Sequence, residues 1–552
     1  MLFSYRQSNN QTFITTTMDK FYTLLALNIS FFVQIGFIAP VSAQQNVILI
    51  IADDLSPDYL GCYGISTDTV VAPNIRGLLK NGIRFNNCWA SPLCSPTRAG
   101  IFTGRYPFRT GVGNVITNPQ SAQLDTAEMS IAKLLKYHAP VKYQTANVGK
   151  WHLHVQMPQK YTYPNKMGYD FYSGSFNGEL TDYYKYARIT NGKLDTVRTY
   201  ATTQTVNDAI GWVKTLNPAK PFFLWLAFNA PHFPFHIPPS TLCNTSGLSG
   251  TTADIRNNPK KYFKATVQAM DTEIGRLLQY LKDNNLMDNT NIIFIGDNGN
   301  DNRVAQISDK SKAKASLYDY GVRVPMIVSG PAVVSPNRTS DALVNTPDLL
   351  ATIADLCSFP NWKNAVPASK IVDSKSMLPL IKNESASIRD WIFTELFSNP
   401  VDPDDGKAAR NKDYHLIRWD NGKEALFKQS ADQEENNNLL NSTLTQEEST
   451  NYTFLCNKIT TLVGKGSCRN VPSSDIAEQE EIILFPNPAG EYLKIASDVQ
   501  IKSVSVLNAL GEISATGNNN EIPISTLTDG FYTVTIELEN KKRIIKKIIV
   551  SK

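Results

Sequence analysis

The stretch Asn46-Val47-Ile48-Leu49-Ile50-Ile51-Ala52-Asp53-Asp54 decides the fold of this chain. Its five consecutive apolar residues, 47–51, are typical of a strand buried on both faces, because a half-exposed strand alternates polar and apolar residues. Two further runs, 222–228 and 292–295, have the same character, and residues 262–284 place apolar side chains at helical spacing. Continuous apolar strands that alternate with helices predict an α/β fold whose central sheet is covered on both faces.

Polar side chains follow these runs at the points where the predicted strands end. Asp53 and Asp54 follow the first run, Asp297 and Asn298 follow the third, and the second leads to His232. Because parallel strands end at one edge of their sheet, we expect these groups to meet there. Three carboxylates in one cleft would repel each other, and a divalent cation would cancel that repulsion. Oxygen ligands favour Ca²⁺ or Mg²⁺ over zinc, although each acid could equally be a loop cap or turn former.

Length and composition indicate a globular protein with more than one domain. The chain has 552 residues, of which 42% are hydrophobic and 19% charged, so disorder and coiled coil are excluded as the main architecture. We expect two or three domains, because single cores rarely reach this size. The formal net charge of +4 indicates no large basic surface, and nucleic acid is therefore not an expected partner.

The N-terminal residues resemble a secretory signal. A mostly apolar stretch, 21–40, follows Lys20 and precedes small residues suited to signal peptidase, which predicts cleavage after Ala43. The polar residues before Met18 fit no part of a signal, so residues 1–43 are interpreted as a signal peptide with an upstream extension and Met18 as the true start. An uncleaved membrane anchor is the alternative, and polar residues inside the stretch argue against it.

A secreted chain can form disulfides, and this one has seven cysteines. No Cys-x-x-Cys pair occurs, which argues against a structural zinc site. Cys456 and Cys468 are close enough in sequence to close a small loop. If Cys94 is set aside for chemistry, an even number remains for pairing.

The segment Cys94-Ser95-Pro96-Thr97-Arg98 carries a second chemical signal. Pro96 suits a first helical turn and Ser95 or Cys94 suits the cap, so Cys94 is predicted at a helix N-terminus, where backbone amides attract anions. Arg98 adds a permanent positive charge one turn later. The alternative is a buried structural cysteine or a disulfide partner.

Several motifs in one order make the chain resemble the sulfatase family, the formylglycine-dependent branch of the alkaline-phosphatase superfamily. The resemblance covers about residues 46–468 and rests on Cys94-x-Pro96-x-Arg98 with Thr103-Gly104-Arg105, Asp53-Asp54, Gly149-Lys150-Trp151-His152-Leu153, Ala230-Pro231-His232, Gly296-Asp297-Asn298-Gly299, Lys314, and Leu317-Tyr318-Asp319-Tyr320-Gly321-Val322-Arg323-Val324-Pro325. It implies an alkaline-phosphatase-like sandwich with a central mixed, mostly parallel sheet, and hydrolysis of sulfate esters.

The resemblance also implies how such an enzyme works. A formylglycine-generating or sulfatase-maturating enzyme would convert Cys94 to formylglycine, whose hydrated aldehyde carries two hydroxyls. One hydroxyl attacks sulfur, and the other then loses its proton and expels sulfate. The implied metal is Ca²⁺, with Mg²⁺ possible, and its implied ligands are Asp53, Asp54, Asp297, Asn298 and residue 94.

The implied catalytic residues are Cys94, Arg98, Lys150, His152, His232 and Lys314. Arg98 and Lys150 would hold the modified residue, and His152 would take the proton in the elimination step. His232 and Lys314, with Lys150, would contact sulfate, and the first two would protonate the leaving oxygen. If residues 150–154 are extended, Lys150, His152 and His154 share one face.

Two positions depart from the family pattern. His154 stands where Gly is usual, and is either an added substrate contact or, as we favour, a surface histidine. Asp319-Tyr320-Gly321 stands where Glu-Gly-Gly is usual. The stretch 171–186, rich in Tyr, Asp and Asn, suits either sugar contacts or a plain surface loop.

The predicted layout places a catalytic domain at 44–347 and a smaller α+β subdomain at 348–470. A linker is predicted at 471–481, before an all-β, Ig-like module at 482–552. That module opens with Phe485-Pro486-Asn487-Pro488 and ends with basic and apolar residues. It resembles the C-terminal sorting domain of type IX secretion, which implies export by that machinery; a carbohydrate-binding or generic Ig-like module is the alternative.

Together these features predict an exported sulfatase that acts on sulfated carbohydrates. Export suits a polymer substrate, because a polymer is too large to enter the cell. Two rivals stay open. One is a phosphodiester or phosphonate hydrolase of the same superfamily. The other is a non-catalytic glycan-binding protein, if Cys94 is never modified.

Overall fold

The computed structural model describes residues 44–469, 471, 482–497, 500–518, 520–539 and 543–552. The predicted signal peptide, and the predicted linker apart from Val471, lie outside the described residues. The chain divides into two compact units, each made of two segments. The first unit comprises the residues up to Leu440 together with Tyr452–Cys468. The second unit comprises Asn441–Asn451 and Arg469–Lys552.

A ten-stranded sheet is the centre of the first unit. Its strands follow the order β10-β2-β9-β8-β1-β7-β3-β4-β5-β6, and all run in one direction except β5 and β9. The prediction of a mixed, mostly parallel sheet is confirmed. In chain order the strands are β1 Asn46–Ala52, β2 Gly82–Trp89, β3 Gln144–Gly149, β4 Phe171–Gly174, β5 Tyr186–Thr190, β6 Lys193–Val197, β7 Phe222–Ala227, β8 Thr290–Gly296, β9 Arg323–Ser329 and β10 Arg338–Asn345.

The apolar run at 47–51 forms β1, at the middle of this sheet. Ile51 pairs with Ala227 of β7 on one side and with Ile295 of β8 on the other. Alternate residues of β1 enter two separate hydrophobic cores, Leu49 one and Ile50 the other. The strand is therefore buried on both faces, as its unbroken apolar sequence predicted.

Helices pack on both faces of the sheet and connect its strands. The predicted helix at 262–284 is α8, Pro259–Asp283, which begins with a proline in its first turn. The α-helices are α1 Pro73–Gly77, α2 Cys94–Thr103, α3 Pro107–Thr110, α4 Ile131–Lys133, α5 Tyr163–Lys166, α6 Ala201–Val213, α7 Thr252–Asn257, α8, α9 Asp319–Val322, α10 Asp348–Leu356, α11 Leu378–Ile381 and α12 Gln446–Val463.

A second, antiparallel sheet supplies the predicted smaller α+β region. Its strands, in spatial order, are β11 Ile392–Leu396, β12 Gly406–Arg410, β13 Tyr414–Trp419 and β14 Glu424–Lys428. Helix α10, predicted to open this region, instead contributes its apolar residues to a core of the main sheet.

A disulfide joins Cys456 to Cys468, the pair whose spacing predicted a small loop. The other cysteines, Cys62, Cys88, Cys94, Cys243 and Cys357, are free thiols. Of the six cysteines that were open to pairing, only Cys456 and Cys468 form a disulfide within the described residues. Most of the free thiols are buried apart from one another in apolar surroundings, as small hydrophobic side chains are.

The second unit contains the all-β module that the sequence predicted. One sheet has the order β15-β16-β19 and the other the order β18-β17-β20-β21, and their inward residues form one separate core. The strands are β15 Ile483–Phe485, β16 Tyr492–Ala496, β17 Ile501–Leu507, β18 Ile513–Gly517, β19 Glu521–Pro523, β20 Gly530–Leu538 and β21 Arg543–Val550. Within the described residues, no helix has the length and apolar character needed to cross a membrane.

Candidate active site

The candidate site lies where four neighbouring parallel strands, β8, β1, β7 and β3, end at the carboxyl edge of the main sheet. Backbone hydrogen bonds continue past the strand ends and fix the residues that follow. The Asp53 amide donates to the Ala230 carbonyl at 3.1 Å, and the Lys150 amide donates to the Ala227 carbonyl at 2.8 Å. The Asp54 amide donates to Asp297 Oδ1 at 3.0 Å. The expectation that these strand ends meet at one edge is confirmed.

Cys94 lies against this edge at the first position of helix α2. Its Sγ is 3.4 Å from Asp53 Oδ1 and 3.8 Å from Asp54 Oδ1. Burial, and secondarily Asp297, raises the pKa of the thiol well above its usual value, so the unmodified side chain is a neutral thiol. The helix begins one residue earlier than the predicted caps allow, with Leu93 at the cap position. The Ser95 hydroxyl instead donates to the His152 carbonyl at 2.9 Å.

Three basic side chains neutralise the three carboxylates. Arg98 donates to Asp297 Oδ2 from Nε at 3.1 Å and from Nη2 at 2.7 Å. Lys150 Nζ donates to Asp53 Oδ2 at 2.6 Å, and Lys314 Nζ donates to Asp54 Oδ2 at 2.8 Å. These pairs are buried apart from Lys314, whose side chain is 15% exposed. Lys314 is therefore the cation of this set that is open to an entering substrate.

Burial and charge pairing act in opposite directions on two of these carboxyl groups. Burial raises the pKa of Asp53 to about 7, against the opposing charge of Lys150. Burial would also raise the pKa of Asp297, but Arg98 and then Lys150 outweigh it and hold the pKa below its usual value. Asp297 is thus anionic, because two N–H groups of Arg98 converge on its Oδ2.

The residues predicted as metal ligands come together. Single ligand atoms of Asp53, Asp54, Cys94 and Asp297 all lie within 4.8 Å of one another. Asn298 Nδ2 donates to Asp54 Oδ1 at 2.7 Å, while its own Oδ1 is buried without a hydrogen-bond partner among the described residues. A buried, unsatisfied carbonyl oxygen beside three carboxylates fits a hard divalent cation.

His152 sits in a turn, not in an extended segment. Its φ of 52° is left-handed, so residues 150–154 are not a continuous extended segment, and the condition for a face shared by Lys150, His152 and His154 is not met. The imidazole fits tightly under Gly178, where a Cβ would come within 2.4 Å of the ring. Its Nδ1 is buried and has no partner among the described residues. Burial, then Lys150 and Arg98, lowers the pKa of His152 well below its usual value, so the ring is neutral and can accept a proton.

His154 points away from the site into the protein interior. Its Nε2 lies 2.7 Å from the Leu124 carbonyl, and its Nδ1 accepts from Trp151 Nε1 at 3.0 Å. The side chain is 2% exposed, so the surface position that we favoured is wrong. Both ring nitrogens are therefore used within the protein. The structure gives no support to its alternative role as a substrate contact.

His232 and Lys314 both lie close to the Asp54 carboxylate. His232 Nε2 is 3.7 Å from Asp54 Oδ2, and its Nδ1 lies 2.7 Å from the Phe233 carbonyl. Because a carbonyl only accepts, Nδ1 carries the proton and Nε2 is bare. Burial lowers the pKa of His232 to about 3, so this histidine is neutral at neutral pH.

Sequence reasoning missed Tyr183, which holds the loop that carries His232. Its buried hydroxyl lies 2.6 Å from the Asn229 carbonyl and 2.7 Å from the His232 carbonyl. The tyrosine-rich stretch 171–186 carried the signal, but its composition suited either sugar contacts or a plain surface loop and did not indicate a scaffold. Tyr172, Tyr183 and Tyr186 are buried, whereas Tyr184 is exposed. Most of these rings therefore build the scaffold of the site.

Comparison with known families identifies the chain. Residues 45–358 match the family model described as Sulfatase, and residues 312–460 match the model described as N-sulphoglucosamine sulphohydrolase, C-terminal. Residues 483–551 match the model described as Secretion system C-terminal sorting domain. The fold and these matches define a sulfuric ester hydrolase. The chain belongs to the sulfatase family and carries a C-terminal sorting domain.

Individual relatives agree with this assignment. The chain is 26% identical to human steryl-sulfatase over 434 residues, which cover 64% of this chain and 72% of that one. It is 25% identical to the N-acetylgalactosamine-6-O-sulfatase of Bacteroides thetaiotaomicron over 488 residues, covering 72% and 90% of the two chains. The crystal structure of Ps i-CgsB in complex with k-i-k-neocarrahexaose superposes with a TM-score of 0.64 at 27% identity, covering 76% and 92%.

Proposed function

We propose that this protein is an exported sulfatase that removes sulfate from sulfated carbohydrates, with formylglycine formed from Cys94 and a bound Ca²⁺. One observation carries the reaction. Cys94 Sγ stands where three carboxylates and three cations converge, at a buried helix N-terminus. A neutral, buried thiol with no disulfide partner is a poor nucleophile there, which supports its being a precursor.

The metal proposal rests on the chemistry of the donor set. Asp53, Asp54, Asp297 and the unpartnered Oδ1 of Asn298 offer only oxygen atoms, which Ca²⁺ or Mg²⁺ prefers. Residue 94 would complete the set. When bound, such an ion neutralises charge on sulfate oxygens and lowers the pKa of a nearby nucleophile. Arg98, Lys150 and Lys314 already balance the carboxylates, so an added divalent ion would leave the site positive and receptive to a sulfate.

The other side chains have roles that follow from their protonation. Formylglycine would supply two geminal hydroxyls, one as the nucleophile toward sulfur and the other as the group whose loss of a proton expels sulfate and restores the aldehyde. Arg98 fixes the strand ends, since it bonds both Asp297 and the Lys150 carbonyl. His152 is neutral, its buried Nδ1 has no hydrogen-bond partner among the described residues, and it can take a proton.

Protonation of the leaving oxygen falls to Lys314 in this proposal. Burial opposes its charge, but Asp54 outweighs burial and raises the pKa of Lys314, so this side chain carries a proton. His232 presents a bare Nε2 and is better suited to accept a hydrogen bond. The two residues were predicted to share the donor role, and their hydrogen bonds favour Lys314.

A carbohydrate substrate is supported by two of the similar proteins. One is an N-acetylgalactosamine-6-O-sulfatase by name, and the other was crystallised with a neocarrahexaose. The steryl-sulfatase shows that the family model alone does not select a sugar. The C-terminal sorting domain adds a second argument, because a polymer too large to enter a cell must be processed outside it.

The proposal is tested on protein purified from its native host. The tryptic peptide 85–98 is expected to contain formylglycine at position 94, and the protein is expected to hydrolyse sulfated oligosaccharides. Cys94→Ala should abolish turnover, while Cys88→Ala, a buried cysteine of the same peptide, should retain it. An intact thiol in all molecules, or turnover by Cys94→Ala, would overturn the proposal. Paired sulfate and phosphate esters test the rival reaction, since a preference for phosphate would exclude a sulfatase.

A further inference from the structure

An exposed basic side chain near the site is not used by the mechanism above. Arg303 lies beyond β8, in none of the segments that the sequence assigned to chemistry, and its side chain is 46% exposed. Its guanidinium carbon is 4.2 Å from the centre of the Phe233 ring and 5.3 Å from that of Phe235. Phe233 in turn stacks on His232, with ring centres 4.8 Å apart and planes 22° apart. The guanidinium is therefore no farther from the His232 ring than these two stacking distances combined.

Arg303 is held in one orientation although it is exposed. Asp301 Oδ1 accepts from its Nε at 2.7 Å and Asp301 Oδ2 accepts from its Nη2 at 2.7 Å. The Arg303 backbone amide also donates to Asp301 Oδ1, at 2.9 Å. An exposed arginine normally keeps its rotamer freedom, and fixing it before binding lowers the entropic cost of gripping a ligand. Within the described residues, Nη1 makes no hydrogen bond.

Arg303 is close enough to the site to interact with its charged groups. Asp54, inside the site, and Glu179, next to the Gly178 that covers His152, both act electrostatically on this guanidinium. Arg303 thus lies on the His232 side of the site. A planar guanidinium with a free edge is suited to carboxylate or sulfate.

We propose that Arg303, seated on Phe233 and oriented by Asp301, is a specificity subsite for a second anionic group on the sugar that bears the scissile sulfate or on its neighbour. This inference rests on the proposed sulfatase function and narrows its substrate class to polyanionic glycans. It predicts a preference for substrates that carry a carboxylate or a further sulfate over otherwise neutral sulfate esters.

The test compares wild-type protein with Arg303→Gln and with the control Arg198→Gln, an exposed arginine elsewhere on the same unit. Substrates are a monosulfated neutral disaccharide, a monosulfated disaccharide with a uronic acid, and a disulfated disaccharide. Arg303→Gln should raise KM about tenfold or more for at least one of the two dianionic substrates, because a charge-assisted hydrogen bond is lost. It should leave kcat for the dianionic substrates within about twofold of the wild-type value. For the monosulfated disaccharide without a second anionic group, both kcat and KM should also stay within about twofold. Whichever dianionic substrate loses affinity identifies the anion as carboxylate or sulfate.

Binding in the Cys94→Ala background separates this inference from the proposed function. Calorimetry should show the same loss of affinity for the dianionic disaccharide on adding Arg303→Gln, whether or not the wild type turns it over. An equal loss for all three substrates would make Arg303 a structural residue, and no loss for any would leave it outside the binding site. Either result overturns the subsite. Failure of wild-type turnover with an intact binding difference overturns only the sulfatase proposal.

Discussion

Lys314 is the side chain whose removal best tests how the leaving group is protonated. Replacing it with methionine should lower kcat for sugar sulfates about 10²–10⁴-fold, the usual contribution of general acid catalysis. A nitrophenyl sulfate should be affected much less, because nitrophenolate leaves without a proton. Steady-state kinetics on the two ester types measure the difference.

Lys310→Met is the matched control for Lys314, being an exposed lysine of the same loop. Its kinetics should equal those of the wild type on both esters. Equal losses on sugar and nitrophenyl esters in Lys314→Met would contradict the acid role and would indicate that the lysine only binds sulfate.

Asp297 stabilises the fold through Arg98, and this can be measured apart from activity. Asp297→Asn removes the closer of the two carboxylates paired with the fully buried Arg98, and breaking a buried pair typically costs about 3–5 kcal/mol, an upper bound here because Asp53 stays 3.7 Å away. Denaturant unfolding in the presence of a chelator should show that loss in free energy. Asp195→Asn removes an exposed partner of Arg188 and should cost at most about 1 kcal/mol. Comparable losses in the two variants would contradict the buried-pair argument.

At the residue scale, sequence alone located the groups that follow strand ends. Asp53, Asp54, Asp297 and Asn298 could be predicted together because parallel strands end at one edge. His154 could not be placed, since its direction depends on the left-handed backbone at His152, which no local pattern announces. Arg303 was also missed, because its importance comes from a stacking partner, Phe233, that is distant in the sequence.

At the scale of elements, long apolar periods were predictable and short segments were not. The run at 222–228 became β7 and the helical spacing at 262–284 became α8, each within a few residues of its predicted ends. Strand β6, by contrast, forms the edge of the sheet with mostly exposed residues that carry no buried-strand signal. Hydrophobic periodicity detects a strand by its buried residues, so it does not predict an edge strand whose residues are exposed.

Strand β11 carries a buried carboxyl group, Glu395, that makes the folding stability of the protein depend on pH. Burial raises the pKa of Glu395 to about 8, despite its hydrogen bond from the Phe108 amide and the opposing charge of Lys407. Because the pKa is raised in the folded state, the contribution of protonated Glu395 to folding stability is fully present below the ordinary pKa of 4.5. This contribution is lost as pH rises through about 8. Glu395→Gln removes this titration, so the variant should gain stability relative to the wild type between pH 5 and pH 9.

Thermal unfolding at several pH values measures the effect of Glu395→Gln. The exposed Glu384→Gln controls for the change from acid to amide. A stability difference that stays constant across the range for Glu395→Gln would show that this carboxyl group is ionised in the folded protein at every pH tested.

At the scale of the whole molecule, the change in sequence character after about residue 470 corresponds to a change of structural unit. The terminal module has a core formed only by residues from Ile482 onward. The cores around the main sheet contain none of those residues. The boundary was predictable because short alternating strands with Asn/Gly turns differ from the long apolar strands before them. The start of the smaller α+β region was harder to place, since α10 packs into the main core.

Separate cores predict that catalysis does not need the terminal module. A chain ended after Asn470 should fold, bind the same metal and hydrolyse sulfate esters with kcat/KM within about twofold of full length, because no core residue of the main sheet is removed. In the native host, however, this truncated chain should stay inside the cell, since the matched sorting domain is lost.

Full-length Val534→Asp, which places a charge in the core of the module alone, should also keep normal catalysis and lose export. Loss of turnover in the purified truncated enzyme would show that the module supports the catalytic unit, and normal export would show that it is not the sorting signal.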